Sequence, residues 1–139
     1  ALRAAAGPAG AFFRREPLIA GGNIPPERVA KFALVQAGPD GRMVKIVEKP
    51  DAAQLAAIGP DACVSMNCWR FGPEIFEAAR RIPLSARGEL ELTDAVQYAI
   101  DVLGVRFDVL RLSAGVLDLS CRTDVAEVGR RLANVEVAL

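Results

Sequence analysis

Histidine is absent from the 139 residues, which removes the Ser-His and Cys-His pairs of nucleophilic catalysis and the usual imidazole acid or base. Chemistry here must run on carboxylates, lysines, arginines or a metal. Cysteine is scarce: Cys63, Cys68 and Cys121 are odd in number and form no CxxC pair. They point to neither a disulfide framework nor a zinc site; small buried hydrophobes in a reducing cytoplasm are expected. Although 52% of the residues are hydrophobic, no apolar run approaches the roughly 20 residues of a membrane helix, so a soluble chain is expected. Neither sign of charge prevails, since 17 Lys and Arg balance 17 Asp and Glu. No overall field draws the chain to nucleic acid or to an anionic membrane. Repeats, low-complexity linkers and a Gly-rich phosphate loop are also missing. The apolar stretches of the opening ALRAAAGPAGAFFRREP are broken by Gly7, Pro8 and Gly10, unlike a secretory signal.

What is present reads as one α/β unit over residues 1–139. Lys31–Ala37 and Met43–Glu48 flank Pro39-Asp40-Gly41, which predicts a hairpin. Asp51 caps a short helix reaching Ile58 before Gly59-Pro60, and Cys63–Phe71 reads as a strand carrying Ser65, Asn67 and Trp69 on one side. Gly72-Pro73 opens a helix with Ile75, Phe76 and Ala79 as its apolar stripe, ended at Pro83. A second helix starts near Leu92 with Thr93 as its cap and runs through Ala95, Val96, Ala99, Ile100 and Leu103 to Gly104. Val105–Leu112 alternates as a strand, Val116–Leu119 is another short one, and Asp124–Ala133 is a helix burying Val125, Val128 and Leu132. This order predicts a layered domain with a mixed sheet.

Polar residues at strand ends and faces are the candidates for chemistry. A carboxylate inside Val116-Leu117-Asp118-Leu119 is costly to bury unless paired, hydrogen-bonded or bound to metal. Magnesium, which takes one or two carboxylates with phosphate oxygens and water, resolves that cost. So does a cap, in which Asp118 accepts N–H groups from the next helix. Lys49, held before Pro50, can meet an anion such as phosphate, and Glu48 can accept hydrogen bonds from sugar hydroxyls; the pair also suits a solvated charged turn. Ser65 and Asn67 fit either a ligand laid across the sheet or the wet face of an edge strand. In GELELTD, Gly88 marks a turn, and Glu89 and Glu91 the approach to a helix.

The order of these pieces is more specific than any one of them. An EKP at a strand end (48–50), then SMNCWRFGPEIFEAA, then RGELELTDAV, then VLDL before a helix resembles the second half of the sugar-phosphate nucleotidyltransferases. That family includes the glucose-1-phosphate thymidylyl-, uridylyl- and adenylyltransferases, and the resemblance runs from about Val29 to Leu132. Asn67 and Ser120 stand where the family often has glycine, and the aromatic residue usual before the aspartate is missing.

The resemblance implies a Rossmann-like α/β fold and a magnesium-dependent transfer, in which a sugar-1-phosphate oxygen attacks the α-phosphate of a nucleoside triphosphate and pyrophosphate leaves. It assigns sugar hydroxyls to Glu48, the sugar phosphate to Lys49, sugar contacts to Ser65 and Asn67, and the metal to Asp118, with Lys49 and Asp118 as the catalytic pair. Homo-oligomers are compatible with it. The family's Gly-rich loop and first metal aspartate have no counterpart in Ala1–Arg28. The expectation is therefore that only the sugar-binding half is present and cannot catalyse transfer alone. A non-catalytic sugar-phosphate-binding or assembly domain on the same scaffold is the alternative.

Overall fold

In the computed structural model, which describes residues 2–136, an interior strand of the sheet is one that hydrophobic periodicity does not announce. β1 (Ala9–Phe13) reads AGAFF and is buried along almost its whole length. Buried on both faces, it shows no polar alternation to reveal it. The chain then turns into α1 (Arg15–Gly21), also unpredicted, and a 3₁₀ segment at Pro26–Lys31. That segment takes up the start of the expected first hairpin strand, so β2 is Leu34–Ala37.

β2 and β3 (Met43–Val47) pair antiparallel around Pro39-Asp40-Gly41 as predicted, with Gly41 at φ 79°. α2 (Ala52–Ile58) follows, where Asp51 Oδ1 accepts the N–H of Gln54 at 2.8 Å and Gln54 Oε1 accepts that of Asp51 at 3.0 Å. This reciprocal box satisfies N–H groups that the first turn leaves open. Gly59, at φ 82°, ends it.

β4 (Cys63–Arg70) lies between β1 and β2. α3 (Glu74–Arg81) buries Ile75 and Ala78, whereas Phe76 is 66% exposed and Ala79 faces solvent. The stripe is therefore rotated one position from the expected one. α4 (Leu92–Asp101) buries Ala95, Val96 and Ala99. Thr93 is not its cap: Glu91 holds that position and the Thr93 hydroxyl is buried without a partner.

β5 is shorter than the alternation predicts, Asp108–Leu112. Gly104 at φ 68° starts a turn, and Val105 N–H returns to Ala99 O at 2.9 Å. The Phe107 side chain goes to the core, while its carbonyl accepts the N–H of Met43 at 2.9 Å. Val116–Leu119 forms no strand, and α5 (Asp124–Leu132) buries Val128 while Val125 and Leu132 stay exposed. Of the cysteines only Cys63 is buried.

The five strands make one mixed sheet in the order β3-β2-β4-β1-β5, with β1 and β5 parallel and the other neighbours antiparallel. On one face α3 and α4 cover a core containing Phe12, Val35, Ile46 and Phe107; on the other, Leu18, Ile24, Leu34 and Val64 pack together beneath α1 and α2. β3 is an edge strand, and an open edge invites pairing with other chains. Gln97 of α4 covers it: Ile46 N–H donates to Gln97 Oε1 at 2.9 Å, and Gln97 Nε2 donates to Val44 O at 3.5 Å.

Candidate functional site

β3 ends at Val47, and the next two residues leave the ladder. Lys49 adopts φ 43°, a left-handed conformation that costs a non-glycine residue about 1 kcal/mol or more. Pro50 behind it is buried while Lys49 is exposed. Glu48 is half-buried, and burial pushes its carboxyl pKa up; Lys49 pulls it back down, and Glu91 raises it further. A carboxylate in such a place gains most from hydrogen-bond donors brought by a ligand.

Opposite Glu48 stands the GELELTD segment, read from sequence only as the approach to a helix. Lys45, Glu48, Ser85, Arg87, Glu91 and Asp94 border a cleft of about 320 Å³. Within it, Ser85 Oγ donates to Glu91 Oε1 at 3.0 Å and Arg87 Nη2 donates to the same oxygen at 2.6 Å. Glu91 is thus held by its neighbours, and Arg87 and Lys45 put positive charge beside Glu48. Neither Arg87 nor Glu91 was among the predicted site residues. Their only sequence signal is the clustering of charge just before a helix, a common surface feature.

Ser65, Asn67 and Trp69 do not line one side of β4. The β1–β4 register shifts between Ala11 and Phe12, which face Cys68 and Ser65 respectively. Met66 and Asn67 are left without partners on β1, and Asn67 takes φ 55° and faces solvent. Asparagine tolerates that region better than most residues, so the bulge forms without glycine. Ser65 is buried, its Oγ 3.4 Å from Asn67 N, and Trp69 stacks on Phe71 with ring centroids 5.4 Å apart. Leu34 pairs with Val47 and Ser65 N–H reaches Ala33 O.

Asp118 belongs to a second group. Its Oδ2 accepts Arg28 Nη2 and Ser120 Oγ, each at 2.6 Å. Arg28 Nη1 donates in turn to Asp124 Oδ1 at 2.9 Å. The cap reading of Asp118 does not hold: Thr123 occupies the cap position of α5 with no side-chain bond, and Asp124 Oδ2 accepts the N–H groups of Ser120 at 3.1 Å and Cys121 at 3.0 Å in the loop before the helix. Its hydrogen bonds from Arg28 and then Cys121 hold the Asp124 carboxyl well below the usual carboxylate range. The same pairing raises the pKa of Arg28. The burial cost of Asp118 is met first by an ion pair.

Both contacts of the Asp118 carboxylate fall on Oδ2, leaving Oδ1 without a donor among the described residues. No group of three or more His, Cys, Asp or Glu able to hold a metal occurs among them either. The residues therefore fit magnesium only as one carboxylate oxygen, the remainder of the shell coming from phosphates and water. No hydrogen bond or ion pair among the described residues joins this group to Glu48. No described helix is long and apolar enough to cross a membrane.

Residues 14–115 match the family described as Nucleotidyl transferase. A glucose-1-phosphate thymidylyltransferase of Streptomyces griseus is 36% identical over 102 residues, covering 71% of this chain and 26% of that protein. Another, from Streptomyces antibioticus, is 40% identical over 72 residues, or 50% of this chain and 18% of the relative. The low-salt glycan biosynthesis nucleotidyltransferase Agl11 of Haloferax volcanii is 35% identical over 83 residues, 54% of this chain and 21% of its own. The match spans about a quarter or less of each of these relatives.

Proposed function

The chain belongs to the nucleotidyl transferase family, and on that premise we propose that it supplies the sugar-phosphate-binding half of an enzyme joining a sugar-1-phosphate to a nucleoside triphosphate. In that reaction a phosphate oxygen of the sugar phosphate attacks the α-phosphorus, an α–β bridging P–O bond breaks, and pyrophosphate departs with the electron pair. The observation that carries the reading is the cleft in which Glu48 faces Arg87 and Glu91 beside Lys45. Carboxylates accept from sugar hydroxyls and cations hold phosphate, so the cleft offers both kinds of partner.

Glu48 takes the sugar hydroxyls and Lys49 the phosphate; Asn67, exposed at the bulge of β4, and the buried Ser65 two residues before it complete the sugar contacts. Such transfers depend on positioning and charge neutralisation more than on a covalent nucleophile, which accords with a chain lacking histidine. Magnesium, when bound at Asp118 Oδ1, supplies neutralisation of the phosphate charge. Lys49 orients the attacking phosphate, and Asp118 provides a fixed anionic oxygen. Cytoplasmic location and assembly into homo-oligomers belong to the same proposal.

The test is pyrophosphate release from a nucleoside triphosphate and glucose-1-phosphate. The full-length protein is expected to release it with magnesium, the isolated 139 residues are not, and Glu48→Gln in full-length protein should raise the KM for the sugar phosphate at least tenfold. An unchanged KM overturns the assignment of Glu48. The alternative of a non-catalytic binding or assembly domain has its own support, the occupation of Asp118 by an internal cation, Arg28. It predicts glucose-1-phosphate binding with no turnover by the full-length protein.

A further inference from the structure

We propose that Arg28 and Asn23, in the connection between α1 and β2, are the residues that position Asp118. The inference rests on the metal role given to Asp118 above. Between Leu112 and Asp124 the chain has neither helix nor strand, so no ladder fixes a carboxylate there. Such a group must nevertheless be held to within about 0.5 Å if it is to bind a ligand productively. Three contacts replace the missing ladder.

Backbone approach is the first of them. A side chain at Gly115 would overlap the Gly21 backbone, and a Cβ on Gly22 would come 2.5 Å from Val116 O, so only glycine lets the strands of chain lie together. Asn23 then makes a two-point bond to the Asp118 main chain: Nδ2 donates to Asp118 O at 2.8 Å, and Asp118 N–H donates to Asn23 Oδ1 at 2.7 Å. This reproduces with one side-chain amide the paired bonds that a neighbouring strand would make. Finally, Arg28 divides its guanidinium between Asp118 and Asp124. The division sets one positive charge between two nearby carboxylates, offsetting their mutual repulsion, and occupies Oδ2 while leaving Oδ1 undonated. One guanidinium against two carboxylates leaves a net negative charge, as a cation ligand needs.

The residues around a metal's direct ligands commonly change affinity 10- to 100-fold when removed. Arg28→Met and Asn23→Asp should therefore each weaken Mn2+ binding at least tenfold. The measurement is electron paramagnetic resonance of Mn2+ titrated into the full-length protein with saturating glucose-1-phosphate. Asn23→Asp keeps the size of the side chain but replaces the donor to Asp118 O with an acceptor. Asp118→Asn is the reference. If it leaves Mn2+ binding unchanged, the metal role of Asp118 is lost and the positioning role with it. If it abolishes binding while Arg28→Met and Asn23→Asp bind Mn2+ like the unaltered protein, the positioning inference alone is overturned. Should Arg28→Met not fold, Arg28→Lys decides, because an ammonium lacks the fork that spans both carboxylates; unchanged Mn2+ affinity there overturns the inference, and a loss restricted to Mn2+ with an unaltered melting temperature supports it.

Discussion

Arg28 Nη2 lies 2.6 Å from Asp118 Oδ2 across 90 positions of sequence. The same guanidinium holds Asp124 at 2.9 Å, so one cation from the segment after α1 organises the whole approach to α5. The consequences for stability and for ligand binding can be separated by pH and by substitution.

Asp124 should make stability depend on acid. Its carboxyl is held below the usual range by Arg28 and Cys121. A depressed folded-state pKa contributes stability that is fully present above the unfolded-state value of about 4 and is lost as pH falls through the folded one. Asp124→Asn is expected to melt below the unaltered protein at pH 7, with the two melting temperatures converging as pH drops toward 2. Parallel curves over that interval count against the pairing.

Glu48 should behave in the opposite sense. Burial raises its pKa, so the unfolded chain gives up the proton first as pH rises from about 4, and stability falls between the unfolded and folded values. Glu48→Gln removes that loss and should melt above the unaltered protein at pH 8, with the difference vanishing at pH 3. A stabler protein that binds sugar phosphate less well would mark Glu48 as kept for its ligand.

Lys49 separates backbone from charge. Its φ of 43° suits glycine, whereas alanine keeps the strain. Lys49→Gly and Lys49→Ala should raise the KM for sugar phosphate equally, but the glycine variant should be the more stable by about 1 kcal/mol. Equal melting temperatures contradict the strain, and unequal KM values contradict a role confined to charge.

Gln97 guards the sheet edge. Its amide meets both Ile46 N–H and Val44 O, so Gln97→Ala should cost about 1 kcal/mol and a few degrees of melting temperature. It should also promote concentration-dependent association through β3, visible in light scattering. Trp69, the only tryptophan, sits in the aromatic cluster of Phe12, Phe71 and Phe107 and reports unfolding by fluorescence in each experiment.

Asp51 with Gln54, Pro39-Asp40-Gly41 and the spacing of Ala95, Val96 and Ala99 each act within a few residues, and the elements they predict are present. α2, the hairpin and α4 were legible for that reason. β1 was not: AGAFF becomes a strand only because β4 and β5 flank it. The bulge at Asn67 similarly depends on how β4 meets β1, and it separates residues that simple alternation puts together. Arg87 and Glu91 become candidates only when α4 brings them against the end of β3.

The sequence by itself determined the exclusion of histidine chemistry, the mixed α/β class, the hairpin turn and the Asp51 cap, and the motif order that marks the family. These rest on composition and on interactions a few residues apart. Only the tertiary structure decided that Asn23 and Arg28 hold Asp118, that Gln97 closes an edge, and that Glu48 faces Glu91. Each joins segments well separated in the chain, and those meetings depend on the path of the packed backbone, which local periodicity does not encode.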